Sequence, residues 1–180
     1  MKTDFSKIGK SNRGRGASYE RKIAHLLTDS LGIKFKRSPR SGALLREGAF
    51  NGAFLGGDLC CEKDFDFSIE CKNCAGVNLV SILKNPTTAL LIKYWCQCVY
   101  DARIANKKPL LFFNVKLVRA DYVCVCADGF GHLRKPPTSM HISKIDGPVD
   151  IKIDNKDIQM TDLPDMYIMT LESFLQNFSI

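Results

Sequence analysis

The chain has 180 residues, enough for one domain with its own buried core. A hydrophobic content of 45% and a charged content of 25% exclude wholesale disorder. Lys and Arg number 26 against 19 Asp and Glu, and the resulting charge of +7 favours a polyanionic partner through phosphate contacts. Much of that excess is placed early: Lys7, Lys10, Arg13, Arg15, Arg21, Lys22, Lys34, Lys36, Arg37, Arg40 and Arg46 all precede Asp58. Such a cluster reads as the electrostatic footprint of nucleic acid, with Arg13 and Arg15 among the DNA contacts.

The first residues carry no apolar core and so do not form a signal peptide. The apolar run 89–92 is broken by Lys93 and is too short to cross a bilayer. A soluble, cytoplasmic protein is expected.

Residues 1–15 read as a flexible basic arm and 16–180 as a single domain. Ser18 is placed to cap a helix that runs to about Leu31 and is ended by Gly32, with Ile23, Ala24, Leu26, Leu27 and Leu31 on its apolar face. Glu20 would lie in the first turn, where the helix dipole favours an acid. Residues 33–36 alternate as a short strand, followed by the basic turn 37–42 and a Gly- and Ala-rich loop over 43–57. Two strands at 58–62 and 65–72 are expected to form a hairpin about a Lys63-Asp64 turn. The stretch 73–86 is irregular. A helix from about Thr88 to Ala105 follows from Leu91, Tyr94, Trp95, Cys98 and Ala102 at helical spacing. Strands are expected over 110–117, 121–126 and 167–169, and Thr170 caps a last short helix. Residues 130–165 are rich in Pro, Asp and Lys and receive no order. The sum is an α/β fold, a mixed β-sheet flanked by helices.

The eight cysteines include one CxxC, Cys71 and Cys74, with no second CxxC or His pair at finger spacing. Without a secretory signal, reduced thiols are the default. A zinc-stabilised nucleic-acid-binding protein using Cys71, Cys74 and two further cysteines is the alternative of another class.

The stretch 57–72 carries the chemistry. Side chains alternate along a strand, so Phe65, Phe67, Ile69 and Cys71 share an apolar face while Asp66, Ser68, Glu70 and Lys72 share the other. A hairpin would bring Asp58 towards Glu70. Two carboxylates and an ammonium at one point suit phosphodiester hydrolysis: hard oxygens hold Mg²⁺, the ion acidifies a bound water, and the ammonium neutralises developing charge. The bland counterpart is an exposed hairpin with an ordinary ion pair. Asp64 and Asp66 compete with Asp58 as the first acid, although Asp64 is better explained as a turn residue.

These residues resemble the PD-(D/E)XK nucleases, and most of all the archaeal-type Holliday junction resolvases and their phage relatives. The resemblance covers about residues 11–115 and rests on the helical segment 16–21, the turn 36–42, Gly57-Asp58 and the run 69–72. It implies a restriction-endonuclease-like core. By the family pattern, Asp58, Glu70 and the main-chain carbonyl of Cys71 hold the metal, Mg²⁺ with Mn²⁺ as a substitute, and Lys72 serves the attacking water. Glu20 assists, Arg37, Arg40 and Ser41 meet the phosphates of the cut strand, and Gln97 stands near the metal. A homodimer cutting four-way DNA junctions is implied, with a patch around Tyr94, Trp95 and Cys98 as a candidate contact; the alternative within the same fold is a nuclease with another DNA substrate, nick-making or end-processing. Gly57 stands where the family has proline, and 130–180 match poorly apart from the closing strand and helix.

Overall fold

The first helix is longer than its apolar stripe. In the computed structural model, which describes residues 5–38, 57–74, 76–115, 119–133, 138–143, 145, 147–153 and 155–179, α1 runs Phe5–Leu31. Its side chains are described from Gly14 onward. Residues 5–15 therefore extend the helix instead of preceding it, and Ser18 is not its cap. The Ser18 hydroxyl donates to the Gly14 carbonyl at 3.0 Å, a bond made in mid-helix. Glu20 likewise lies far from the first turn, so the dipole explanation fails. The stop at Gly32 holds: its φ is 66° and its N–H donates to the Thr28 carbonyl at 3.0 Å.

Strand β1 (Phe35–Arg37) pairs antiparallel with β2 (Leu59–Cys61), Phe35 opposite Cys61. The expected hairpin between β2 and the next strand is not formed. Instead β3 (Phe67–Cys74) pairs in parallel with β4 (Lys108–Val115), Glu70 opposite Leu111. Phe65 explains the departure: it is buried against Phe35 and Phe67, with ring centroids 5.1 and 5.4 Å away, and so does not sit in a strand-to-strand turn. Parallel strands need a crossover, and α2 (Val80–Lys84), a 3-10 turn and α3 (Leu90–Ala105) supply it. Asn106, in the left-handed region at φ 52°, ends α3.

The remaining order is β5 (Ala120–Cys126), α4 (Ala127–Phe130), β6 (Met140–Ile142), β7 (Val149–Ile153), β8 (Lys156–Met160), β9 (Met166–Thr170) and α5 (Leu171–Asn177). The main sheet has the order β3-β4-β5-β9-β6, antiparallel beyond β4. Strands β7 and β8 form a separate hairpin. The Thr170 hydroxyl accepts from the Ser173 N–H at 3.2 Å and caps α5 as expected. Strands thus occupy part of 130–165, which the sequence left unordered.

Two cores sandwich the sheet. Leu110, Phe112, Val123, Val125 and Met169 pack with α1 and α5 on one face. Leu111, Phe113, Cys124, Cys126 and Ile168 pack with α3 and the β7–β8 hairpin on the other. Strict alternation along β4 and β5 feeds both layers. This is the α/β architecture, mixed sheet with flanking helices, of a restriction-endonuclease-like core. Among the described residues no helix is long and apolar enough to cross a membrane.

Candidate active site

The site lies on β3, which is an edge of the main sheet. An edge strand leaves every second N–H and C=O without a ladder partner. Here Asp58 meets them: its N–H donates to the Ile69 carbonyl at 2.6 Å, and its Oδ2 accepts from the Cys71 N–H at 2.9 Å. Gly57 makes the approach feasible. Its φ is 88°, and a Cβ there would stand 2.0 Å from the Ile69 carbonyl oxygen. Proline, with φ locked near −65°, has no access to that backbone, so the departure from the family pattern at this position has a local cause. Ser38 adds two ties, donating its N–H to the Asp58 carbonyl at 2.8 Å and its hydroxyl to the Gly57 carbonyl at 3.1 Å.

Asp58 and Glu70 therefore converge through a parallel bridge along the edge and not through a hairpin. The Lys72 ammonium is 2.5 Å from Glu70 Oε1, and Gln97 on α3 donates its amide to the same oxygen at 3.2 Å. Glu20 forms an ion pair with Arg37 and is buried, as are Asp58 and Glu70. Its charge is felt at both other carboxylates. The four residues singled out from the sequence as catalytic, Glu20, Asp58, Glu70 and Lys72, thus gather about the middle of β3, with Gln97 beside them. Arg37 reaches the site through Glu20. Arg15 is exposed on α1, and its carbonyl accepts from Asn73 just past Lys72 on β3. Arg40, Ser41 and the loop residues up to 56 lie outside the described residues, as does the side chain of Arg13. The rival acids are elsewhere: Asp64 and Asp66 are exposed near Lys107 and Lys108, before β3 begins.

The electrostatics are those of carboxylates crowded out of water. Burial, and then the Glu70 charge, push the Asp58 carboxyl up to about 7, against the pull of the Cys71 N–H and Lys72. Burial also raises Glu70; Lys72 opposes this, and Asp101 and Glu20 add to it. Burial works against the Lys72 ammonium, but the contact with Glu70 overrides it and holds the lysine protonated. Excess negative charge in a dry site is what a cation relieves.

The donor set fits a hard divalent ion. Among the described residues no three His, Cys, Asp or Glu side chains gather into a closed cage. Two carboxylates converge instead, and the Cys71 carbonyl points to the same edge as its N–H, because both groups of a residue face one side in a strand. One or two carboxylates with open positions for water and phosphate is the arrangement Mg²⁺ takes. For zinc, the sheet separates Cys71 on one face from Cys96, Cys98, Cys124 and Cys126 on the other. Those four cannot join Cys71 at one ion; the Cys74 side chain lies outside the described ones.

Two residues escaped the sequence reading. Ser38 carries no local sign of its partners, which lie about twenty positions away. Asp101 does: it is 3% exposed on the inward face of α3, an acid among Cys98, Ala102 and Ala105. An acid on an apolar helix stripe, one turn from Gln97, is the signal that would have found it.

Residues 11–180 match the model of the family described as "Phage putative PDDEXK endonuclease". The match takes in the C-terminal third, which the resemblance read from the sequence left out. No curated protein and no solved structure matches the chain.

Proposed function

Because the chain belongs to this family of phage PDDEXK endonucleases, we propose that it is a Mg²⁺-dependent endonuclease that resolves four-way DNA junctions in phage recombination, repair or DNA processing. Nuclease action on DNA follows from the family; the ion and the junction are our reading. The observation that carries the catalytic assignment is the convergence of Asp58, Glu70, Lys72 and Gln97 at one edge of β3.

Asp58, Glu70 and the Cys71 carbonyl would hold the ion, with Mn²⁺ as a substitute. When bound, it lowers the pKa of a coordinated water and neutralises phosphate charge. Lys72 orients the attacking water and offsets negative charge as that water's oxygen bonds to phosphorus and one P–O ester bond breaks. Gln97 fixes the Glu70 carboxylate. Glu20 holds Arg37 towards the cut strand, where Arg40 and Ser41 would also meet phosphate. Arg13 and Arg15 on the basic half of α1 supply further DNA contacts.

One site breaks one strand, and a junction needs two strands of like polarity cut symmetrically. A two-fold homodimer meets that need most simply. Its contact does not use Trp95 or Cys98, which are fully buried in the core of each chain. Val80 and Leu83 on α2 are exposed and apolar.

Cleavage of four-way, flapped and linear DNA in Mg²⁺ and in EDTA tests the reading, with sedimentation alongside. Expected are metal-dependent cutting of the junction, a mass about twice 20.2 kDa, and direct conversion of a cruciform plasmid to linear product. A monomeric mass, or nicked circle as the main product at excess enzyme, would remove the resolvase reading and leave the endonuclease.

A further inference from the structure

Part of the region without an assigned role stands beside the site. The β7–β8 hairpin faces the outer side of α3 and leaves a cleft of about 400 Å³ between them. Lys93, Tyr94 and Gln97 line it from the helix, and Asp150, Lys152 and Asp157 from the hairpin. The hairpin alternates as a half-buried sheet should. Val149, Ile151 and Ile153 enter the core, which leaves Asp150 and Lys152 on the outward face.

Two wall residues touch the catalytic groups directly. Gln97 donates to Glu70 at 3.2 Å, and the Tyr94 ring centroid is 5.5 Å from the Lys72 ammonium. The cleft therefore opens one side chain away from the reacting carboxylate. Its chemistry is an aromatic ring, the Gln97 amide, two ammonium groups and two carboxylates, with Leu90 and Ile151 as apolar surface between them. The Lys152–Asp157 pair, at 3.5 Å with side chains 70% and 83% exposed, is too solvated to hold Lys152 away from a phosphate. Asp150 accepts an amide hydrogen from Gln159 at 3.1 Å and keeps lone pairs for an amino group of a base.

The volume falls at the low end of the range for small-molecule sites, roughly 300–1,000 Å³, which suits one nucleotide and excludes a duplex. A base reaches such a cleft only when it has left the helical stack, and aromatic rings then bind it whatever its sequence. We propose that the cleft between α3 and the β7–β8 hairpin binds one unpaired nucleotide adjoining the scissile phosphate, its base against Tyr94 and its phosphate at Lys93 and Lys152. This rests on the nuclease reading above and gives it a means of selecting branched over fully paired DNA.

The test is done in EDTA, so that binding is read without cleavage. One probe is a branched duplex with a single unpaired 2-aminopurine at the branch; the other is the fully paired duplex. Wild-type protein is expected to quench the 2-aminopurine emission, and Tyr94→Leu to bind with little quenching. Lys93→Ala with Lys152→Ala, both exposed positions that leave the fold intact, is expected to weaken the branched probe by about tenfold and the paired one by less than about twofold. Asp157→Ala removes a carboxylate from the cleft wall and is expected to tighten the branched probe. Unchanged emission on saturating wild-type protein, or equal weakening of both probes by the lysine pair, would overturn the proposal while metal-dependent cleavage stands. A wild-type protein that neither binds these DNAs in EDTA nor cuts any of them in Mg²⁺ would instead remove the nuclease reading, and this proposal with it.

Discussion

From Phe67 to Cys71 both faces of β3 are hidden from water, and the two are chemically opposite. Phe67, Ile69 and Cys71 on one side are at most 7% exposed, and Ser68 and Glu70 on the other at most 5%. On the first face burial is the stabilising force, about 25 cal/mol for each Å² of apolar surface removed from water. On the second, burial is a cost, visible in the upward displacement of the Asp58 and Glu70 carboxyls. One strand thus stores in its charged face part of what its apolar face supplies. That asymmetry is expected where stability is given up for reactivity.

The largest effect should come from neutralising the charged face. Asp58→Asn and Glu70→Gln are each expected to lower metal-dependent cleavage by roughly 10³-fold. At pH 8 the melting temperature of Asp58→Asn should equal or exceed that of the wild type, because the substitution removes a charge that burial disfavours. Cleavage kinetics and thermal melts read the two quantities separately. A fall of several degrees in the Asp58→Asn variant would erase the contrast between the faces.

Truncating the apolar face should do the reverse. Ile69→Ala is expected to cost about 2–5 kcal/mol of stability in denaturant titration, while the folded fraction cuts at nearly the wild-type rate. Gly57 lies on the seam. Gly57→Ala forces a Cβ against the β3 backbone in the left-handed region, so it should cost about 1–3 kcal/mol and also displace Asp58. Loss of cleavage with unchanged stability would show that Gly57 serves the site alone.

The smallest effect is the most specific. An Asp58 carboxyl near 3.8 when unfolded and about 7 when folded favours the protonated folded state. Both states are protonated only well below 3.8, at about pH 3 and lower. As the pH rises towards 7 the unfolded chain ionises first, so this group lowers stability progressively across that window and no further above it. In EDTA, the stability of Asp58→Asn relative to the wild type should therefore grow between pH 4 and 7 and then level off. A difference that stays flat would mean the Asp58 charge is not disfavoured by folding.

Much of the candidate site was legible because strand alternation and short motifs are local. The run 69–72 places Glu70 and Lys72 on one face from spacing alone, and Gly57-Asp58 identifies the partner acid. Helical periodicity likewise located α3 and, with it, Gln97. What stayed illegible depends on distant pairing. Asp58 meets Glu70 through a parallel bridge, not a hairpin, because β3 takes β4 as its neighbour across a crossover of more than thirty residues. No local rule weighs that pairing against a two-residue turn.

Composition, charge and periodicity determined an α/β chain with a basic N-terminal region and an acidic-lysine constellation. Tertiary structure alone decided how that constellation is used. It set Asp58 on a sheet edge, tied Ser38 to its backbone and buried Asp101 within reach of Glu70. It also turned an unordered C-terminal stretch into a hairpin beside the site. The physical reason is that hydrogen bonds on a sheet edge and burial between layers are settled by which elements pack together, and that choice belongs to the whole chain.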